Sequence, residues 1–139
     1  MTADPRRGII AAMTGTTELA ERASRSRTYR WGVAVAAVTS FLTVWTTIVR
    51  DDGTGIGWFL VIMAAVVGAF AAWFRSDGMA RAMLGVAVMQ ALFATAIATA
   101  PVTATLPDHG LRVLIASGVF TLLWLVSAAF FRAAARSEP

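Results

Sequence analysis

Four long apolar blocks dominate the chain, and polar or charged residues separate each block from the next. The blocks cover residues 31–49, 56–74, 82–100 and 113–131. Each block holds 19 residues, and none contains an ionisable side chain. A helix rises about 1.5 Å per residue, so about 20 apolar residues cross the ~30 Å hydrocarbon core of a bilayer. The pattern predicts an all-α membrane protein with four transmembrane helices in a bundle.

The composition supports a membrane protein over a soluble one. Of the 139 residues, 58% are hydrophobic and 14% are charged, against about 45–50% and about 25% in ordinary soluble domains. The mean hydropathy is +0.68. A soluble globule of this length could not bury four helices that are apolar on every side. These values exclude a disordered chain, a nucleic-acid-binding tail and a typical cytosolic enzyme.

The positive charges divide unevenly between the two sides of the predicted bundle. All twelve basic residues are arginine. Ten lie in segments 1–30, 75–81 and 132–139, and two lie in segments 50–55 and 101–112. Arginine is enriched in cytoplasmic loops, so both termini are predicted to be cytoplasmic. The arginines flank apolar blocks, which indicates membrane lipids as partners and no nucleic acid. Arginine without lysine, together with abundant alanine, suggests a GC-rich bacterial genome. With the four predicted spans, it indicates a multi-pass protein of a bacterial inner (plasma) membrane.

The chain divides into an N-terminal cytoplasmic segment at 1–30, a transmembrane bundle at 31–136 and a cytoplasmic tail at 132–139. Within the first segment, residues 8–23 predict a short amphipathic helix. Its apolar side holds Ile9, Ile10, Met13 and Ala20, and its charged side holds Glu18, Glu21, Arg22 and Arg25. We predict an interfacial helix parallel to the membrane, held by headgroup contacts of four arginines: Arg22, Arg25, Arg27 and Arg30. The alternative is a docking helix for a larger partner protein.

Neutral polar side chains mark the middle of three predicted spans. This candidate midplane layer comprises Thr39, Ser40, Gln90 and Thr121. Side chains of these types commonly form hydrogen bonds between transmembrane helices and so stabilise packing. They could alternatively line a polar pocket for a lipid, a quinone or another amphipathic ligand. Gln90 is the most polar of them, so we expect it to face the bundle and to bond with one of the three hydroxyls.

Small residues recur every four positions on two of the predicted helices. Ala64, Gly68 and Ala72 form such a ladder in the second span, and Gly32, Ala36 and Ser40 form one in the first. Small side chains let transmembrane helices approach closely. The ladders predict close contacts within the bundle, with a second copy in a homo-oligomer, or with a partner subunit.

The tryptophans divide into two groups by predicted depth. Trp31, Trp58 and Trp73 lie at span ends, where they would anchor the helices at the membrane interfaces. Trp45 and Trp124 lie deeper, so we expect them to pack between helices.

Residues that support catalysis or metal binding are scarce in this sequence. The chain has no cysteine and one histidine, and no spacing suggests a catalytic triad or a phosphate-binding loop. A cation site is conceivable on the outer loops at Asp51, Asp52, Asp108 and His109, but the Asp51–Gly55 run is also typical of an exposed turn. We therefore predict no catalytic residue, no metal ligand and no cofactor, and a protein that is not an enzyme.

Two stretches resemble a known family. The first is residues 74–84, with Gln90-Ala91-Leu92 shortly after. The second is residues 120–136, in which a mainly apolar run is followed by Arg132. Together they resemble a family of small four-helix bacterial inner-membrane proteins whose function is unknown. The similarity covers about residues 31–136. It implies the four-span fold and no particular activity.

These observations leave three hypotheses for the function. The first is a non-enzymatic integral membrane subunit or scaffold that acts through helix packing with itself or with a larger membrane complex. The second is a small oligomeric transporter or channel for a neutral or amphipathic substrate, which the midplane layer would serve. The third is a membrane enzyme that acts on lipid with acid–base residues from the loops.

Overall fold

The computed structural model describes residues 4–50, 55–105 and 109–137 of the chain. Throughout these ranges the protein is helical, with short turns and no strand. The helices are α1 (Pro5–Arg50), α2 (Gly55–Ala71), α3 (Ser76–Ala98), the single turn α4 (Pro101–Ala104) and α5 (His109–Arg136).

Three of these helices are long and apolar enough to cross a membrane. They are Pro5–Val49, Ser76–Ala98 and Gly110–Arg136, and the apolar helix Ile56–Ala71 is shorter. The prediction of an all-helical membrane protein is confirmed at this level.

The first helix is much longer than the predicted span. α1 is continuous over 46 residues, which corresponds to about 69 Å along its axis. A separate interfacial helix is predicted within residues 1–30, and the structure instead joins residues 8–23 to the first apolar block. The local sequence explains this, because no glycine or proline lies between Gly15 and Gly32. Helices generally end at such residues.

Contacts at one end of the bundle show how the helices run. The Tyr29 hydroxyl of α1 donates a hydrogen bond to the Phe74 carbonyl after α2, at 2.7 Å. The Ser127 hydroxyl near the end of α5 donates one to the Gly32 carbonyl of α1, at 2.8 Å. The start of the apolar part of α1 therefore lies beside the ends of α2 and α5, so α1 is antiparallel to both.

α2 and α3 are also antiparallel and lie very close together. Gly57, at the start of α2, lies against the ring of Phe93 late in α3. Near the other end, a Cβ built on Gly68 would lie 2.9 Å from the Cβ of Ala82. The two contacts are separated by eleven residues on each helix, so α2 follows α3 along most of its length.

The core is formed chiefly where α3 and α5 meet, with contributions from α1 and α2. Its largest fully buried side chains are Trp124, Phe131, Met83, Gln90, Val61, Thr39 and Ser127. The Phe131 ring packs edge-on against Tyr29, with centroids 5.1 Å apart. Trp124 packs between helices as predicted. Trp45 does not: it is 58% exposed and stacks on its helix neighbour Phe41.

The helix ends differ from the predicted span boundaries. α2 ends at Ala71, three residues before the predicted end of the second span. Trp73 and Phe74 follow in the left-handed region, with φ of 49° and 55°, a conformation that is rare for bulky residues. α3 begins at Ser76, well before residue 82. An Asp77–Arg81 ion pair of 3.0 Å supports this first turn, since such pairs at i and i+4 stabilise helices.

Candidate functional site

Two polar side chains lie at the centre of the bundle without hydrogen-bond partners. Gln90 of α3 and Trp124 of α5 are both fully buried. Among the described residues, neither the amide nitrogen nor the amide oxygen of Gln90 has a hydrogen-bond partner, and the indole N–H of Trp124 has none. A buried polar group without a partner costs about 1–3 kcal/mol of stability. Each residue therefore buries hydrogen-bonding groups that are unused within the described part of the chain.

The hydroxyls expected to bond with Gln90 point elsewhere. Thr39 donates to the Val35 carbonyl at 2.7 Å, and Ser40 donates to the Ala36 carbonyl at 2.9 Å. These bonds stay within α1, as is common for serine and threonine in transmembrane helices. Thr121 is partly buried on α5. The expected hydroxyl partner for Gln90 is therefore wrong, although the structure does place Gln90 inside the bundle.

One buried hydroxyl that sequence reasoning missed links two helices. Ser127 is fully buried, and its hydroxyl reaches the Gly32 carbonyl of α1. The signal was its spacing, because Ser127 lies three residues after Trp124 and four before Phe131. All three therefore share one face of α5.

The small residues of the second span are used within the chain. Ala64 packs against the core, and Gly68 faces Ala82 at close range. Ala72, in the turn after α2, lies against Gly78, whose added Cβ would be 2.7 Å from that of Ala72. This ladder holds α2 against α3 and so does not face outward.

A basic cavity of about 490 Å³ lies where α1 passes the turn between α2 and α3. Its walls come from α1, this turn, the start of α3 and the end of α5. The lining residues are Arg22, Arg25, Ser26, Tyr29, Phe74, Arg75, Ser76 and Ala134. We call it the arginine cavity.

The spacing along α1 explains which arginines reach this cavity. Its four α1 residues lie at positions 22, 25, 26 and 29, which fall on one face of a helix. Arg27 and Arg30 lie on other faces and do not line it. Of the four arginines predicted to contact headgroups, two therefore line this cavity and two do not. Arg75, which was not among the four, also lines it.

The arginine cavity is lined by three basic side chains, and a hydrogen bond holds one of its walls. Among the described residues, Asp77–Arg81 is the one ion pair, so none of the cavity arginines is paired with a carboxylate. The Tyr29 bond to Phe74 fixes the turn that forms one wall. Partial burial raises the pKa of the Tyr29 phenol, so this phenol stays protonated and keeps donating at neutral pH.

The proposed cation site on the outer loops lies outside the described residues. This holds for Asp51, Asp52 and Asp108, and for the side chain of His109.

Comparisons with known proteins assign no family to this chain. No protein-family model matches the chain, and comparison with curated proteins and with solved structures finds no match. The resemblance to small four-helix inner-membrane proteins stays a prediction. The function is therefore inferred from the residues of this chain.

Proposed function

We propose that the protein is a non-enzymatic integral membrane subunit or scaffold that packs against itself or a larger membrane complex. The N-terminal half of α1 is the proposed docking element. The observation that supports this role is the continuation of α1 beyond the bundle as an exposed amphipathic helix.

The extension presents apolar side chains that nothing in the described chain covers. Ile9, Ile10 and Met13 are 61–64% exposed. They lie on the same side of α1 as Ala20, and we call these four residues the α1 stripe. Residues 5–24 extend for about 30 Å. A single helix without packing is only marginally stable in water, so a covering surface would stabilise both the helix and its stripe.

The continuity of α1 favours a protein surface over a lipid surface. A helix that crosses the bilayer and stays unbroken leaves the membrane along the direction of its span. To lie on the headgroups, α1 would need a sharp bend between residues 23 and 31, and sharp bends generally need proline, glycine or a bulge. The structure has a regular helix there. The docking-helix interpretation is therefore the better supported of the two.

Charges placed on the α1 stripe test this role. We expect the double variant Ile9→Glu with Met13→Glu to lose co-purifying protein or self-association in mild detergent, because carboxylates oppose burial of the stripe. The matched control, Ala11→Glu with Thr14→Glu, adds the same charge to other faces of the same turns and should keep the assembly. Mass spectrometry of affinity-purified full-length protein, with sizing of the complex, gives both readouts. A lone monomer in the unmodified protein would contradict the proposed role.

We also propose that all four apolar helices cross the bacterial inner membrane, with both termini in the cytoplasm. α2 has 17 residues, or about 26 Å, and its close packing along α3 supports a full crossing. The contacts among Tyr29, Phe74, Gly32 and Ser127 bring the arginine-rich segments to one end of the bundle. A reporter fused after residue 139 should be cytoplasmic, and one inserted within 101–112 should be external. The reverse result would contradict this topology.

A second candidate function has one specific observation in its favour. Gln90 and Trp124 keep three polar atoms unpaired inside the bundle, and these atoms could bind a neutral or amphipathic substrate in a small oligomeric transporter. In that case, flux of such a solute into liposomes would depend on Gln90.

A further inference from the structure

We propose that the arginine cavity binds the phosphate group of an anionic lipid through Arg22, Arg25 and Arg75. This inference is independent of the docking role of the α1 stripe, which occupies an earlier part of α1. Two other arginines of the N-terminal segment, Arg27 and Arg30, do not belong to this site.

The charge and shape of the cavity fit a phosphate group. Three arginines from two chain segments line a space of about 490 Å³, and none of them forms an ion pair with a described carboxylate. A guanidinium presents its N–H donors in a planar fork that matches phosphate oxygens. Gathering three unpaired cations around one space raises their mutual repulsion, and a bound anion would remove it.

The start of α3 adds further donors to the same space. Arg75 is the N-cap of α3, and its side chain makes no capping hydrogen bond. The first N–H groups of a helix carry partial positive charge and favour phosphate. α3 has 23 residues, so its N-terminal field adds to the field of the arginines.

The position of the cavity indicates a lipid as the source of the phosphate. Tyr29 and Phe74 form part of its wall, and both lie where the apolar parts of α1 and α2 end. Each headgroup layer extends about 5–8 Å beyond the hydrocarbon core. Arg25 and Arg75 lie within one or two turns of these aromatic residues, which corresponds to the depth of lipid phosphates. Phe74 is about half exposed and could contact the first methylenes of an acyl chain.

A pair of double variants with equal charge tests the site. The lining variant is Arg25→Gln with Arg75→Gln, and the control is Arg27→Gln with Arg30→Gln. Full-length protein in a zwitterionic detergent is titrated with phosphatidylglycerol, and the lipid-bound fraction is measured by native mass spectrometry. A parallel titration uses inorganic phosphate. We expect the lining variant to bind phosphatidylglycerol at least about tenfold more weakly, because it loses two charge-assisted contacts. The control should change by about twofold or less.

The other outcomes are equally decisive. Equal weakening in both variants would show attraction by net charge alone and would overturn the site, as would no weakening in either. If inorganic phosphate binds as tightly as phosphatidylglycerol and the lining variant loses both, the lipid is overturned as the source. A third variant, Arg25→Lys with Arg75→Lys, keeps the charge but loses the forks. Its affinity should fall between those of the other two, and circular dichroism should show unchanged helix content in all three.

Discussion

Replacing Gly68 by leucine is expected to lower the free energy of unfolding by about 3 kcal/mol, because it forces α2 away from α3. The Cβ alone would lie 2.9 Å from the Cβ of Ala82, and the Cα of Ala82 is 3.8 Å away. Ala82 has no flexible side chain that could move aside. Gly68→Ala should have the same sign and a smaller effect, of about 1 kcal/mol. Unfolding in mixed micelles of mild and denaturing detergent, followed by circular dichroism, measures both.

The matched control for this substitution is Gly118→Leu on α5. Gly118 is exposed, and nothing lies within 4 Å of a Cβ added there. Both substitutions gain the same helix propensity, so their difference isolates the close contact of α2 with α3. If the two variants were equally stable, the close approach at Gly68 would be contradicted.

Replacing Gln90 by methionine is expected to raise the free energy of unfolding by about 1–3 kcal/mol. The folded bundle buries an amide that makes no hydrogen bond, whereas the unfolded chain can satisfy it with water or detergent headgroups. Methionine has a similar length, fills the same space and has no strong donor to satisfy. Removing the amide therefore removes a penalty that applies to the folded state alone.

Ser127→Ala is expected to have the opposite effect on stability, because this buried side chain has a hydrogen-bond partner. Its hydroxyl bonds to α1, so its loss should destabilise the bundle by about 0.6–1.7 kcal/mol. If Gln90→Met is also destabilising, the amide has a partner such as a bound water or substrate. Loss of solute flux in liposomes by that same variant would then support the transporter over the scaffold.

The sequence predicts the helical segments well because their length and charge follow from the bilayer. Each of the four apolar blocks is matched by a helix, and three of these helices are long and apolar enough to cross a membrane. What the apolar pattern could not reveal is where a helix continues beyond its apolar part. Residues 8–30 are polar enough to lie outside a membrane, yet they contain nothing that stops a helix after Gly15.

The inward and outward faces of the spans were harder to predict. In lipid, apolar side chains are as stable facing the acyl chains as facing the core, so hydropathy does not distinguish the two. Trp45 and Trp124 have the same side chain and similar depth, yet one is mostly exposed and the other fully buried. The left-handed backbone conformation of Trp73 and Phe74 could not be predicted either, because neither residue is a glycine.

For the candidate sites too, some features follow from the sequence and others depend on how the helices pack. The position of Arg22 and Arg25 on the N-terminal side of the first apolar block can be read from the sequence. The addition of Arg75, fifty residues later, depends on antiparallel packing that brings the α2–α3 turn beside α1. For Gln90, the cost of exposing an amide to lipid predicts burial, but the identity of its neighbours depends on helix rotation.

Because α1 is unbroken, any tilt of its proposed membrane span would also move its N-terminal end. Gly32, held by Ser127, lies 27 residues from Pro5, a distance of about 40 Å along the helix. A change in span tilt of about 10°, well within the range that bilayer thickness imposes, would swing the outer tip by about 7 Å. A partner bound to the α1 stripe would therefore experience changes in membrane thickness as a mechanical displacement.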